Sequence, residues 1–188
     1  KLVRALRGRK VQVTHGLQDS LAEIDALPGD VQGAVRTQVA DFFDSLVSHA
    51  VLDDGGLVVA HAGMKESMAG RASGGVRSFA LYGDTTGETD EFGAPVRHDW
   101  AQEYRGDAVV VYGHTPVVDA EWVNDTINVD TGCVFGGRLT ALRYPERELV
   151  SVEAREMYAE PIRPLQRSSD SRREAQHAPD DTLDIGDM

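Results

Sequence analysis

Residues 108–116 read AVVVYGHTP, a valine run that ends on a tyrosine and then meets Gly113 and Pro116, with His114 between them. The run has the composition of a buried strand, and glycine and proline stop it. Two other stretches have the same design. Residues 55–63, GGLVVAHAG, carry a short apolar segment into His61, and residues 127–133, INVDTGC, carry another into Asp130. Strands that stop in this way present His61, His114 and Asp130 at the rim of a sheet. Two imidazoles and a carboxylate make a donor set that suits manganese, iron, nickel or zinc better than calcium. Hydrolysis at phosphorus is the chemistry such a set serves best, through metal-activated water. A histidine at a strand end also serves as a satisfied structural residue, and three ligands are few for a catalytic centre. The residues alone therefore describe an incomplete metal site.

Around these strands the chain mixes both element types. Residues 1–9 read as the tail of a helix, and residues 19–27 and 31–49 as two further helices separated by the breaker Pro28-Gly29. In the last of these, Val35, Val39, Phe42, Phe43 and Leu46 recur at helical spacing, which predicts a face turned to the core. Strand 57–60 is followed by a Gly- and Thr-rich stretch, 63–95, that is too polar for continuous regular structure and reads as a long functional loop. A short helix at 100–104, strands at 108–112 and 127–129, and a hairpin of 138–144 with 149–152 turning at Pro145-Glu146 complete the pattern. The expectation is an α/β fold with partly antiparallel sheets. It forms one main domain over 1–158, with a polar linker or tail over 159–188.

Composition limits what the chain can do. Its 188 residues, 41% of them hydrophobic, suffice for one ordinary core. No apolar run reaches the roughly 20 residues that span a bilayer, and KLVRALRGRK at the start has no signal-peptide core. These features read as a cytoplasmic protein with no membrane partner. Cys133 is the single cysteine, which rules out an intramolecular disulfide and reads as a buried, reduced thiol. A net charge of −12 argues against coating nucleic acid, although binding at a strand end stays open. Cys133 and Arg138 have four residues between them, one short of the cysteine-phosphatase loop, and GCVFGG does not fit a dinucleotide fingerprint. Its glycines instead predict a tight turn behind Asp130. Trp100, Tyr104 and Trp122 could stack bases, but packing against the sheet is the better reading. His15, His49, His98 and His177 occupy no ligand motif.

Four runs carry a resemblance: LVVAHAGM, GRASGGVRSFALYGDTTGETDEFG, AVVVYGHTPV and INVDTGCVFGGRLTALRYPERELVSV. They resemble the phosphatase domain of bacterial polynucleotide kinase-phosphatases, RNA end-healing enzymes of the calcineurin-like binuclear metallophosphoesterase class. The resemblance implies the later, C-terminal portion of a calcineurin-like sandwich, with mixed sheets flanked by helices. It also implies two divalent ions in the intact site, manganese foremost, with nickel, iron or zinc as alternatives. His61 and His114 would hold one of them, Asp130 would lie close by and orient a ligand, and Arg71 and Arg77 would clamp substrate phosphate. For both arginines, ordinary loop ion pairs are an equal alternative. The family's Asp-x-His, Gly-Asp-x-x-Asp-Arg-Gly and Gly-Asn-His motifs would lie before Lys1, and TLDIGDM resembles the entrance to a ligase-like domain.

The activity so implied is removal of a 3′-phosphate, a 2′-phosphate or a 2′,3′-cyclic phosphate from RNA ends, with an RNA-end methyltransferase as partner. No Gly-x-x-x-x-Gly-Lys-Ser/Thr loop is present, so kinase activity is not expected of this chain. Two alternatives use the same histidines: a serine/threonine protein phosphatase and a dinucleoside-tetraphosphate hydrolase of the same superfamily. A third is a non-catalytic piece that supports folding or contacts neighbouring domains.

Overall fold

A computed structural model describes residues 1–14 and 16–165. His15, His177 and the polar segment from 166 onward, including TLDIGDM, lie outside the described residues. Packing divides the chain into two compact units, with the boundary between Val47 and Ser48.

The first unit is helical: α1 (Leu2–Leu6), α2 (Leu17–Asp25) and α3 (Gly29–Ser45). Pro28 opens α3, where its missing N–H costs nothing. The side chain of Gln32 then donates to the carbonyls of Asp25 and Leu27, closing the turn between α2 and α3. Arg7 ties α1 to α3 through Asp44 at 2.5 Å. The apolar face expected to enter the core does not do so. Phe42 is 60% exposed and Phe43 40%, the two rings meeting edge-to-face at 5.5 Å, and Ala40 is the one buried residue of α3. Helical periodicity identifies a common face but not what covers it.

The second unit is mixed α/β, as expected. Its main sheet has five strands in the order β1-β2-β5-β7-β6. They are β1 (His49–Leu52), β2 (Leu57–Ala60), β5 (Val109–Tyr112), β6 (Trp122–Val123) and β7 (Thr126–Asn128). The central three are parallel, with Val58 opposite Val110 and Val111 opposite Ile127, while β1 and β6 pair antiparallel at the edges. The expected helix over 31–49 is therefore too long: it ends at Ser45, and His49–Leu52 pairs with β2 instead.

The stretch expected to be a loop contains α4 (Gly74–Tyr82) and a small hairpin, β3 (Thr85–Thr89) with β4 (Pro95–Arg97). Ser73 caps α4 by accepting the Val76 N–H at 3.2 Å, and Val76, Phe79 and Ala80 are buried at i, i+3 and i+4 spacing. With α5 (Trp100–Glu103) they cover the sheet face that carries Val58, Ala60 and Val110, and Met64, Trp100 and Tyr104 complete that core. Trp100 and Tyr104 are thus packing residues. Arg147 lies over the ring of Trp122 at 4.0 Å. The predicted hairpin forms as β8 (Arg138–Arg143) and β9 (Glu148–Glu153). Cys133 is free and half-buried, in a single helical turn, Cys133–Phe135, that follows Asp130. Among the described residues no helix is long and apolar enough to cross a membrane.

Candidate active site

Because β2, β5 and β7 are parallel neighbours, their C-terminal ends share one edge of the sheet. Ligands of open α/β sheets bind outside the carboxyl ends of such strands. His61 lies one residue beyond β2, while His114 and Asp130 lie two residues beyond β5 and β7. Backbone hydrogen bonds hold these ends together. Gly113 N–H donates to the His61 carbonyl at 2.9 Å, and Val117 N–H donates to the Asp130 carbonyl at 2.9 Å. Gly113 permits a close approach, since a Cβ there would sit 3.0 Å from that of Asp130. The Asp130 carboxylate accepts from Gly132 N–H at 3.2 Å, and Asn128 Oδ1 accepts from Asp130 N–H at 3.0 Å.

The two histidines touch. Nε2 of His61 and Nδ1 of His114 are 2.8 Å apart, and the ring centroids 4.6 Å. His114 has a left-handed backbone, φ 75°, uncommon for a non-glycine residue and of a kind that clusters at functional sites. A third group completes the contact: an Nη of Arg97 lies 3.0 Å from His114 Nε2. A guanidinium only donates, so His114 Nε2 is the acceptor, the ring proton sits on Nδ1, and Nδ1 donates to His61 Nε2. Burial, the Arg97 charge and His61 lower the His114 pKa to about 4, against a smaller opposing pull from Asp130. Both the contact geometry and the depressed pKa favour a neutral His114; to ligate a metal, one ring nitrogen would give up its present hydrogen bond.

This depression has a stability consequence of definite sign. Between pH 6.5 and about 4, the unfolded chain takes up a proton that folded His114 refuses. The contribution is present above 6.5 and is lost as the pH falls toward about 4. In metal-free protein the denaturant midpoint is expected to drop between about pH 7.5 and about pH 4.5, and His114→Asn to flatten part of that slope. Parallel slopes for the two proteins would remove His114 as the cause.

The donor chemistry here fits a divalent ion in part. His61 and His114 supply two adjacent imidazoles, with the Asp130 charge close enough to act on His114. Among the described residues no three His, Cys, Asp or Glu side chains converge on one point. The arginines are arranged differently from the sequence expectation. Arg71 donates back to the Ser67 carbonyl at 3.1 Å, and Arg77 is exposed on α4. The guanidinium that meets the histidine pair is instead that of Arg97, from strand β4. Arg105 is engaged by the carbonyls of Gln102 and Tyr104. In the sequence Arg97 belongs to a basic group with Arg71, Arg77 and Arg105 and is a weaker phosphate-clamp candidate than Arg71 and Arg77, because a hairpin distant from both strands delivers it.

No known family profile matches the chain. Curated relatives do, among them three named bis(5′-nucleosyl)-tetraphosphatase PrpE [asymmetrical]. That of Anoxybacillus flavithermus is 52% identical over 166 residues, 88% of this chain and 68% of the relative. That of Geobacillus thermodenitrificans is 55% identical over 152 residues, 81% and 62%. That of Bacillus cereus is 46% identical over 166 residues, 88% and 68%. A mixed sheet with paired histidines at its strand ends, together with relatives named as phosphatases, makes this an enzyme chain of the metallophosphoesterase class. Within that class, it belongs to the PrpE family of bis(5′-nucleosyl)-tetraphosphatases. The chain spans about two thirds of its relatives' length, 62% to 68%. These relatives correct the narrower resemblance: they support neither a polynucleotide kinase-phosphatase nor an RNA-end substrate.

Proposed function

We propose that this chain contributes to the site of a divalent-metal-dependent hydrolase of bis(5′-nucleosyl) tetraphosphates. The observation that carries the reading is the 46% to 55% identity to relatives so named, over 81% to 88% of the chain. The geometry is compatible with it. His61 and His114 would hold a divalent ion, for which manganese, nickel, iron and zinc all suit the donors. When bound, such an ion supplies charge stabilisation for phosphoryl oxygens and lowers the pKa of water. The chain's own residues do the rest. Asp130, held by Gly132 N–H, provides a fixed acceptor beside His114, and Arg97 provides positive charge at the edge of the pair.

The net reaction adds water across one P–O–P link, the leaving oxygen taking up a proton. An asymmetrical cut of a four-phosphate chain leaves a nucleoside monophosphate and a nucleoside triphosphate. The test is to incubate the protein with diadenosine tetraphosphate and Mn²⁺ and to separate the products by anion exchange. AMP with ATP in equal amounts is expected, and both are to be lost in EDTA. ADP as the sole product would contradict the asymmetrical cut. Phosphate release from an RNA 3′-phosphate end, with the tetraphosphate intact, would overturn the reading.

A further inference from the structure

A cavity of about 540 Å³ is walled by the segment from Tyr82 to Trp100 and by the chain that follows β5; neither His61 nor His114 lines it, and Arg97 connects it to His114. Small-molecule sites run from roughly 300 to 1,000 Å³, so the space is suited to a ligand considerably larger than a phosphate ion. Arg97 lines it. Its guanidinium donates to the Tyr82 carbonyl and to His114 Nε2, which leaves further N–H groups of the fork for a ligand.

No carboxylate among the described residues forms an ion pair with Arg97. Two acids of the hairpin segment are committed elsewhere, Asp84 to Lys65 at 2.7 Å and Asp90 to Arg163 at 2.8 Å. Arg163 lines the same cavity, and burial followed by the Arg163 charge lowers the pKa of Arg97. A half-buried guanidinium that forms no ion pair among the described residues is suited to receive an anion.

The rest of the wall points to more than an anion. Tyr82 and Phe92, which both line the cavity, are 57% and 49% exposed, so neither ring is consumed by the core. Exposed rings at a cavity wall are platforms on which bases stack. Glu91 and Asp99 add acceptors of the kind that meet ribose hydroxyls and base amino groups.

We propose that this cavity is a nucleotide subsite, in which Arg97 takes a phosphate at the histidine end and Tyr82 and Phe92 take the base. The proposal rests on the hydrolase reading and says where one nucleotide half of the substrate lies. The test is metal-free binding. In EDTA, AMP, adenosine and inorganic phosphate are each titrated calorimetrically, and the His114 ring resonances are followed by NMR.

AMP is expected to bind more tightly than either fragment and to shift the His114 signals, a readout that needs no variant. Arg97→Gln is expected to weaken AMP and phosphate by about 10- to 100-fold while sparing adenosine. Phe92→Ala should weaken AMP and adenosine by roughly tenfold and spare phosphate. Arg97→Lys, which keeps the charge and loses the fork, should fall between wild type and Arg97→Gln. AMP binding no tighter than phosphate, unmoved by Arg97→Gln, or silent at His114 would overturn the subsite. If AMP binds through Arg97 but diadenosine tetraphosphate is not cleaved, the subsite stands and the hydrolase reading falls. If the tetraphosphate is cleaved with the same KM in Arg97→Gln and Phe92→Ala, the reverse holds.

Discussion

His61→Ala and His114→Asn are each expected to lower the affinity for Mn²⁺ by on the order of a hundredfold or more. Partners one shell further out than a ligand already cost 10- to 100-fold, and each substitution removes one of the two imidazoles at the site. The choice of replacement matters. His114 has φ 75°, a conformation that asparagine tolerates better than alanine, so His114→Asn removes the ring with little added strain. His61 needs no such care, since its side chain is exposed and its φ is ordinary. Both variants should therefore keep the wild-type circular dichroism spectrum and unfold cooperatively. Calorimetric titration at about pH 7.5, above the ordinary histidine range, avoids competition from protons. Wild-type affinity in both variants would return the pair to a structural role. A double variant that loses no more than either single one would fit two ligands of one ion, because a shared ion couples their contributions.

How much of this site could be read from the sequence depends on the range of the interaction that makes each part. The strand ends were legible because their signal is local: a valine run, then a breaker, then a polar residue, as at Val110, Gly113 and His114. That the three strands are parallel neighbours, with one common edge, is set by pairing over dozens of residues, and no local pattern carries it. Helix α4 was hidden by Gly74 and Gly75, poor helix formers at its first two positions. The Ser73 cap and the burial of Val76, Phe79 and Ala80 outweigh them. The error at Phe42 and Phe43 runs the other way, since their spacing is helical and the helix is there, but the rings stay exposed. Arg97 illustrates the limit. It sits in a three-residue strand among ordinary neighbours, and only the fold of the β3–β4 hairpin brings it to His114. Its one weak signal in the sequence is membership of the basic group Arg71, Arg77, Arg97 and Arg105.

Gly63→Ala is expected to destabilise the protein by about 2–5 kcal/mol, a large share of the roughly 5–15 kcal/mol a domain of this kind has. Two costs combine at this position. Its φ is +137°, which L side chains rarely adopt, and a Cβ would lie 2.4 Å from two carbon atoms of the Trp100 ring. That ring has little room to retreat. Trp100 is 6% exposed and is packed by Tyr112 at 4.9 Å, Phe79 at 5.8 Å and Tyr104 at 6.2 Å between ring centroids. The backbone must therefore move, and it carries the site with it. Ala62 N–H is bound to the Ala80 carbonyl at 2.7 Å, and the His61 carbonyl accepts from Gly113 N–H at 2.9 Å, so a shift at Gly63 is transmitted to both histidines. Mn²⁺ affinity should fall along with stability. Urea unfolding of Gly63→Ala, Trp100→Leu and the double variant separates the two costs. If the clash dominates, Trp100→Leu makes room for the methyl group, and the double variant loses clearly less than the sum of the singles. If the losses simply add, the steric account fails, and the backbone conformation alone is what demands glycine.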